Sequence, residues 1–264
     1  MITCKELAQK IKNEVKTVIN AFTEYGLKKP KLVIFSNDAP DGLRYIRNKV
    51  KVAEEVGIEA EVLSVKSSMT FDEIKKAIAN QPDATGIIVQ LPFTGDKDKD
   101  QELIDCIPYH QDVDGLKGMV TPATALGVYE YLKENNLIDG KRITIIGRSK
   151  LVGMPLAKML LETDATVTLC HSKTTDLQCH TLEADVIVSA VGKINLITQT
   201  HLWFSQGYDI VDVGINFDEN GIMCGDVSDD VKGMDNVVCT PVPGGVGLLT
   251  TACLMKNTLS LYNK

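Results

Sequence analysis

No apolar run in this sequence approaches the roughly 18–20 residues needed to cross a bilayer, so a helical membrane span is not expected. Nor is there a surplus of positive charge. The 28 Lys and Arg face 35 Asp and Glu, a net charge of −7, and the pI is about 5.2. That balance argues against a nucleic-acid binder relying on bulk charge. The opening M-I-T-C-K-E-L-A-Q-K-I-K lacks the apolar core of a secretory signal and reads as the start of an amphipathic helix. The seven cysteines (4, 106, 170, 179, 224, 239 and 253) form no C-x-x-C and no paired spacing. They are expected to be reduced and mostly buried, in a cytosolic protein. His-x-x-x-His patterns and Cys/His clusters are missing too, so no metal is expected. No repeat or low-complexity segment interrupts the chain.

What is present is alternation. With 264 residues, 44% hydrophobic and 24% charged, the chain has the composition of an ordinary globular protein and the length for one large domain or two modest ones. Strands are expected at 31–37, 59–65 and 86–92, with helices at 42–56 and 71–80 between them. Asp41 reads as the N-cap of the first of these helices and Gly57 as its C-terminal stop. The charged tract 96–100 reads as a solvated loop. A helix over 122–135 opens a second series, with strands at 142–146, 166–170, 185–191, 209–213 and 237–241, and a last helix at 248–261. Long strand–helix alternation means parallel sheets with right-handed crossovers, an α/β fold. The domain boundary is placed near Thr121–Pro122.

The richest stretch is R-I-T-I-I-G-R-S-K-L-V-G-M-P, residues 142–155. A β-branched strand breaks on glycine into a helix, which is how α/β proteins hold phosphates on free backbone N–H groups. The spacing is Gly147-x-Ser149-x-x-x-Gly153 rather than Gly-x-Gly-x-x-Gly. In such a fold a carboxylate at the end of the second strand suits NAD, whereas hydroxyl or basic groups suit the 2′-phosphate of NADP. The second strand here runs into His171-Ser172-Lys173-Thr174 with no carboxylate, and Arg148 sits on the glycine turn. This leans toward NADP, although Arg148 and Lys173 also read as plain surface charge.

Four further features carry candidate chemistry. Tyr45 and Lys49 share one face of the 42–56 helix; a lysine whose pKa is lowered by burial can serve in proton transfer, though Arg44, Arg47, Lys49 and Lys51 equally make an ordinary charged helix. Gln90 places a polar amide in the apolar run G-I-I-V-Q-L-P, near the strand's C-terminal end, where α/β proteins place ligands. Asp112-Val113-Asp114-Gly115 reads as an Asx turn or as paired carboxylates for a polar heterocycle. T-P-V-P-G-G-V-G, residues 240–247, packs two prolines and three glycines before a helix, a rigid backbone that a ligand can approach closely.

Together these strings resemble one family, the bifunctional methylenetetrahydrofolate dehydrogenase/methenyltetrahydrofolate cyclohydrolases. The likeness rests on Y-I-R-N-K (45–49), V-Q-L-P (89–92), D-V-D-G (112–115), G-R-S-K-L-V-G-M-P (147–155), C-H-S-K-T (170–174) and P-V-P-G-G-V-G (241–247), and covers nearly the whole chain. The resemblance implies two α/β domains, the second a Rossmann-like dinucleotide-binding domain, with a cleft between them. Residues 1–121 would form the folate-binding catalytic domain, residues 122–247 the NADP domain, and a helix over 248–264 would return to the first. It implies NADP-dependent oxidation of methylenetetrahydrofolate, hydrolysis of the methenyl product, and a homodimer in the cytoplasm, with no nucleic-acid or membrane partner.

The resemblance also implies roles for single residues. Lys49 would be the catalytic lysine, Tyr45 would pack on the folate, Gln90 would tune the lysine and Asp114 would bind the pterin. Gly147, Arg148, Ser149, Gly153, Ser172, Thr174 and Ile215 would hold NADP. Pro243, Gly244, Gly245 and Gly247 would fall in the loop flanking the substrate cleft. Three departures stand out. The family's serine three residues before the tyrosine is Gly42; the segment between D-V-D-G and the next Thr-Pro is only L-K-G-M-V; and Leu248 replaces a common proline. The first two bear on the cyclohydrolase step.

Overall fold

Parallel strands that are buried on both faces organise the computed structural model, which describes residues 1–66 and 68–262, and of Asp41 only the backbone. The chain forms two units, one of residues 9–123 with the chain from 251 onward, the other of residues 1–8 with 124–250. The first unit contains most of α1 (Cys4–Glu24), then β1 (Lys31–Ser36), α2 (Pro40–Val56), β2 (Glu59–Ser64), α3 (Phe71–Ala79), β3 (Gly86–Val89) and α4 (Lys97–Asp105). Its sheet has the order β2-β1-β3, all parallel. Central β1, K-L-V-I-F-S, is almost wholly buried because helices cover both faces. Val33, Phe35, Ile87 and Val89 pack against Ile74, Ile78 and Leu103 of the flanking helices.

Local chemistry sets the helix ends, and it corrects two expectations. The cap of α2 is Ala39, with Pro40 in the first helical position, so Asp41 lies inside the helix and its side chain is outside what is described. Gly57 ends α2 in the left-handed conformation at φ 90°, as expected. The tract 96–100 is not a solvated loop. Asp96 caps α4 through the N–H groups of Asp98 and Lys99, and Asp100 is buried. The Asp100 carboxylate accepts from Phe93 N, Thr94 N and the Thr94 hydroxyl at 2.6–3.1 Å, tying the preceding loop to the helix. Burial pushes its pKa up, but those bonds outweigh it and leave the group below the usual carboxylate range.

The second unit runs through α5 (Ala123–Glu134), β4 (Arg142–Ile146), α6 (Gly153–Leu160), β5 (Thr166–Cys170), α7 (Leu177–Leu182), β6 (Val186–Ser189) and β7 (Tyr208–Asp212). A short hairpin of β8 (Asn216–Phe217) and β9 (Met223–Cys224) follows, then α8 (Asp229–Lys232), β10 (Val237–Cys239) and the start of α9 (Val246–Tyr262). Its parallel sheet has the order β10-β7-β6-β4-β5. Counted within the unit this is 2-1-3-4-5, a doubly wound sheet whose direction of growth reverses at β4. Ligands of such sheets bind at the carboxyl ends of the strands beside that reversal. Gly127 lets α5 approach α9 closely, since a Cβ there would lie 2.8 Å from the Cβ of Leu249. The later part of α9 packs within the first unit. Asn257 donates to Val113 O and Thr121 O, both at 2.9 Å, and Tyr262 donates to Lys28 O at 2.6 Å.

Candidate active site

In the first unit the relevant side chains gather where β1 and β3 end. The strand in G-I-I-V-Q-L-P stops at Val89, so Gln90 stands one residue beyond it rather than inside it, and Leu91–Pro92 is cis. The Gln90 N–H still bonds Phe35 O at 3.0 Å, which fixes where the side chain starts. Its amide is half-buried and bonded at both ends. Oε1 accepts from Lys49 Nζ at 2.8 Å, and Nε2 donates to Leu91 O at 2.9 Å. Residues 41 apart in sequence are thereby brought into direct contact.

Desolvation pushes the Lys49 pKa below the ordinary lysine value, while the nearby Asp114 carboxylate opposes the shift. Burial pushes Asp114 upward, with Lys49 pulling it down and Asp112 adding to the rise. Burial therefore shifts the amine toward its neutral form relative to a lysine in water, and it is the neutral form that can take up a proton. Tyr45, one turn before Lys49 on α2, is 36% exposed, so its ring is open to a ligand.

The two aspartates of D-V-D-G divide the work. Asp112 is fully buried, and its Oδ2 accepts from Lys117 N at 2.6 Å. Burial pushes its carboxyl up, against hydrogen bonds from the 115–117 backbone. Asp114 is the half-buried one that interacts with Lys49. The short segment after Gly115 is tied down by Lys117, whose Nζ donates to Asp105 O at 2.8 Å and to Ile107 O.

In the second unit the glycine turn leaves β4 beside the end of β5. Ile146 is in register with Cys170, and Gly147 N donates to Cys170 O at 2.9 Å. Arg148 and Ser172, both exposed, thus follow the ends of paired strands. Gly147 has φ 112°, and a Cβ there would overlap the carbonyl oxygen of Ala190, which follows β6. At Gly153 a Cβ would overlap Gly147 O, so the turn can fold onto the start of α6 only without side chains. Ser149 Oγ accepts from Val152 N at 3.1 Å and shapes the turn. Thr174 Oγ1 accepts from His171 N at 2.9 Å and closes the 171–174 turn. A bare glycine backbone, a serine and an arginine, with no carboxylate at the end of β5, fit a dinucleotide carrying a 2′-phosphate.

Ile215 is half exposed in the loop between β7 and β8. Pro243 and Gly244 are exposed after β10, with Val242–Pro243 cis and Gly244 at φ 97°. A Cβ at Gly245 would overlap Pro241 O. Gly247 is not in that loop; α9 begins at Val246, because the glycine pair ends the turn two residues earlier than expected. Among the described residues no group of His, Cys, Asp or Glu is arranged to hold a metal. Sequence reasoning missed two residues of this unit, the buried Asp212 and Asp226, which show no spacing signal.

A doubly wound sheet bearing such a turn, on one chain with a desolvated lysine–amide pair, is the architecture of a dinucleotide-dependent α/β enzyme. Residues 2–114 match the catalytic domain, and residues 122–264 the NAD(P)-binding domain, of tetrahydrofolate dehydrogenase/cyclohydrolase. The bifunctional protein FolD of Lysinibacillus sphaericus is 38% identical over 98% of this chain and 95% of its own length. The crystal structure of the Campylobacter jejuni bifunctional enzyme FolD, a methylenetetrahydrofolate dehydrogenase/cyclohydrolase, superposes with a TM-score of 0.87 at 35% identity, over 98% of this chain and 97% of that one. The Trypanosoma brucei dehydrogenase-cyclohydrolase, complexed with NADP cofactor and inhibitor, has a TM-score of 0.87 at 28% identity, over 100% and 97%. The chain belongs to the tetrahydrofolate dehydrogenase/cyclohydrolase family.

Proposed function

We propose that this chain oxidises 5,10-methylenetetrahydrofolate with NADP⁺ and hydrolyses the resulting 5,10-methenyl cation to 10-formyltetrahydrofolate. The observation that carries the reading is Lys49, desolvated and held by Gln90 at 2.8 Å, in a chain matched end to end by bifunctional relatives. NADP⁺, when bound, accepts the hydride that leaves the methylene carbon. The chain's own residues do the rest. Tyr45 offers a ring face to the folate, and Asp114 a polar anchor for the pterin. In the hydrolytic step water adds to the methenyl carbon, and neutral Lys49 takes the proton that the water gives up. The bond from that carbon to N5 then breaks as the added hydroxyl becomes the formyl carbonyl and releases its proton to solvent, and the proton held by Lys49 is returned to N5. Gln90 keeps the amine aimed and limits its freedom.

Gly147, Ser149 and Gly153 would cradle the pyrophosphate on bare backbone. Arg148, Ser172 and Thr174 would line the ribose phosphate, with Ile215 and the Pro243–Gly245 turn beside the ring and the folate. Replacing Ser172 by Asp puts a carboxylate where a 2′-phosphate would lie. The kcat/KM for NADP⁺ is expected to fall by about 100-fold or more, with that for NAD⁺ unchanged or raised, since like charges repel and an aspartate suits the 2′-hydroxyl. Steady-state kinetics with both dinucleotides measure it.

A weaker cyclohydrolase is the second reading, and Gly42 motivates it. A Cβ at Gly42 would meet only Gln90 Cγ, at 3.6 Å, an ordinary contact. Gly42→Ser is therefore expected to fold with a melting temperature at or above that of the original, and to raise methenyl hydrolysis several-fold. The gain should stay below the ~100-fold at which a full acid–base group begins. An unchanged rate would show that this site does not need the hydroxyl.

We also propose a homodimer and a cytoplasmic site of action. The seven cysteines form no disulfide, which suits a reducing compartment, and the mass in solution, measured by light scattering, tests the dimer.

A further inference from the structure

Two buried aspartates lie behind the loops on which the dinucleotide reading depends, and neither has a part in the chemistry described above. Asp226 is completely buried and gathers five donors. Its Oδ2 accepts from the Ser189 hydroxyl at 2.8 Å, from Val191 N at 2.9 Å and from Gly192 N at 3.3 Å. Its Oδ1 accepts from Lys193 N at 2.8 Å and from Asn216 Nδ2 at 3.1 Å. Asp212, at the end of β7 and also fully buried, holds the backbone of Asp226 in turn. It accepts from Asp226 N at 2.8 Å and from Val227 N at 3.1 Å.

The placement is close-packed on the backbone side. A Cβ at Gly214 would overlap the Asp226 carboxylate, and one at Gly225 would overlap that of Asp212. The bare backbones of residues 214 and 225 thus let the two loops close over the carboxylates.

We propose that Asp226 is a positioning residue for the dinucleotide site. Its carboxylate fixes residues 191–193 and 214–216, the loops that follow β6 and β7 at the carboxyl edge of the sheet. The first loop continues from Ala190, whose carbonyl abuts Gly147 of the phosphate turn and whose N–H bonds Ile146 O at 2.8 Å. The second carries Ile215, which is half exposed between two residues that Asp226 constrains, Gly214 by contact and Asn216 by a hydrogen bond. One side chain therefore sets the relative position of the glycine turn's neighbour and of Ile215. Backbone N–H groups can only donate, so the position needs a group that accepts on both oxygens. An amide would turn its NH₂ toward two or three of the five donors, whichever way it flips.

The inference rests on the dinucleotide reading of this unit, and the full-length chain tests the two separately. If the unsubstituted protein reduces NADP⁺ with methylenetetrahydrofolate, the reading stands, and Asp226→Asn is then compared with it. The variant is expected to show a KM for NADP⁺ raised about tenfold or more. Hydrolysis of methenyltetrahydrofolate supplied directly should stay within about twofold, because Lys49 and Gln90 belong to the other unit. Ser189→Ala, which removes one donor and leaves the acceptor in place, should change the KM by less than about threefold. An unchanged KM in Asp226→Asn, or equal loss of both activities in a folded variant, would overturn the proposal. Should Asp226→Asn fail to fold, Asn216→Ala decides. It frees one side of the clamp and is expected to raise the same KM several-fold; no change there would overturn the proposal.

Discussion

Replacing Lys49 with alanine is expected to slow methenyl hydrolysis by about a thousandfold, the middle of the range for losing a positioned acid–base group. NADP⁺ affinity should stay within about twofold, because the dinucleotide turn belongs to the other unit. The variant should also fold. The lowered pKa of Lys49 means that burial disfavours its charged form, so truncation gives up no net charge stabilisation.

The sign of the pH dependence follows from the same shift. Below its folded pKa the lysine is charged and cannot accept a proton; above it the amine is neutral. Hydrolysis should rise with pH along a limb whose midpoint lies below 10.5, the ordinary lysine value, and the limb should vanish in Lys49→Ala. Hydrolysis and dinucleotide affinity falling together would point to misfolding and would contradict the assignment of Lys49.

The second large effect is expected at Gly147. Its φ of 112° lies where L side chains are rarely found, which costs on the order of 1–3 kcal/mol. An alanine Cβ would in addition overlap Ala190 O and sit 3.0 Å from Ala190 C. These are backbone atoms held by the β4–β6 ladder and cannot swing aside as a side-chain tip could. Together the two terms predict a loss of about 3 kcal/mol or more in NADP⁺ binding or in the unit's stability, which is a hundredfold or greater fall in affinity. Calorimetric titration with NADP⁺ measures it. Methenyl hydrolysis should survive in the folded fraction, since β1, β3 and α2 are untouched.

How much of this was legible in the sequence depended on the range of the interaction. The glycine turn could be read because strand, turn and helix are consecutive, and its φ and close packing are local demands that glycine meets. The left-handed stop at Gly57 is legible for the same reason. The Lys49–Gln90 contact joins residues 41 apart, so periodicity could mark each residue as odd but could not pair them; only the whole set of motifs did.

Helix α4 was misread because its sequence, K-D-K-D-Q-E-L-I-D, carries little apolar signal. Asp96 caps the helix through N–H groups of its own first turn, and Asp100 is held by bonds from the preceding loop, rather than by hydrophobic pattern. The start of α2 was misplaced because an aspartate is a commoner cap than alanine, although Pro40 held the better clue. Asp226 was illegible. Its donors come from residues 10 to 37 positions away, and a buried carboxylate looks like a surface one until the loops around it are folded.

The most direct measurement is a coupled spectroscopic assay of the purified protein with methylenetetrahydrofolate and NADP⁺. The expected result is NADPH formation with methenyl absorbance that then decays faster than in buffer alone. Absence of any methenyl absorbance and of NADPH, from protein shown to be folded, would contradict the account.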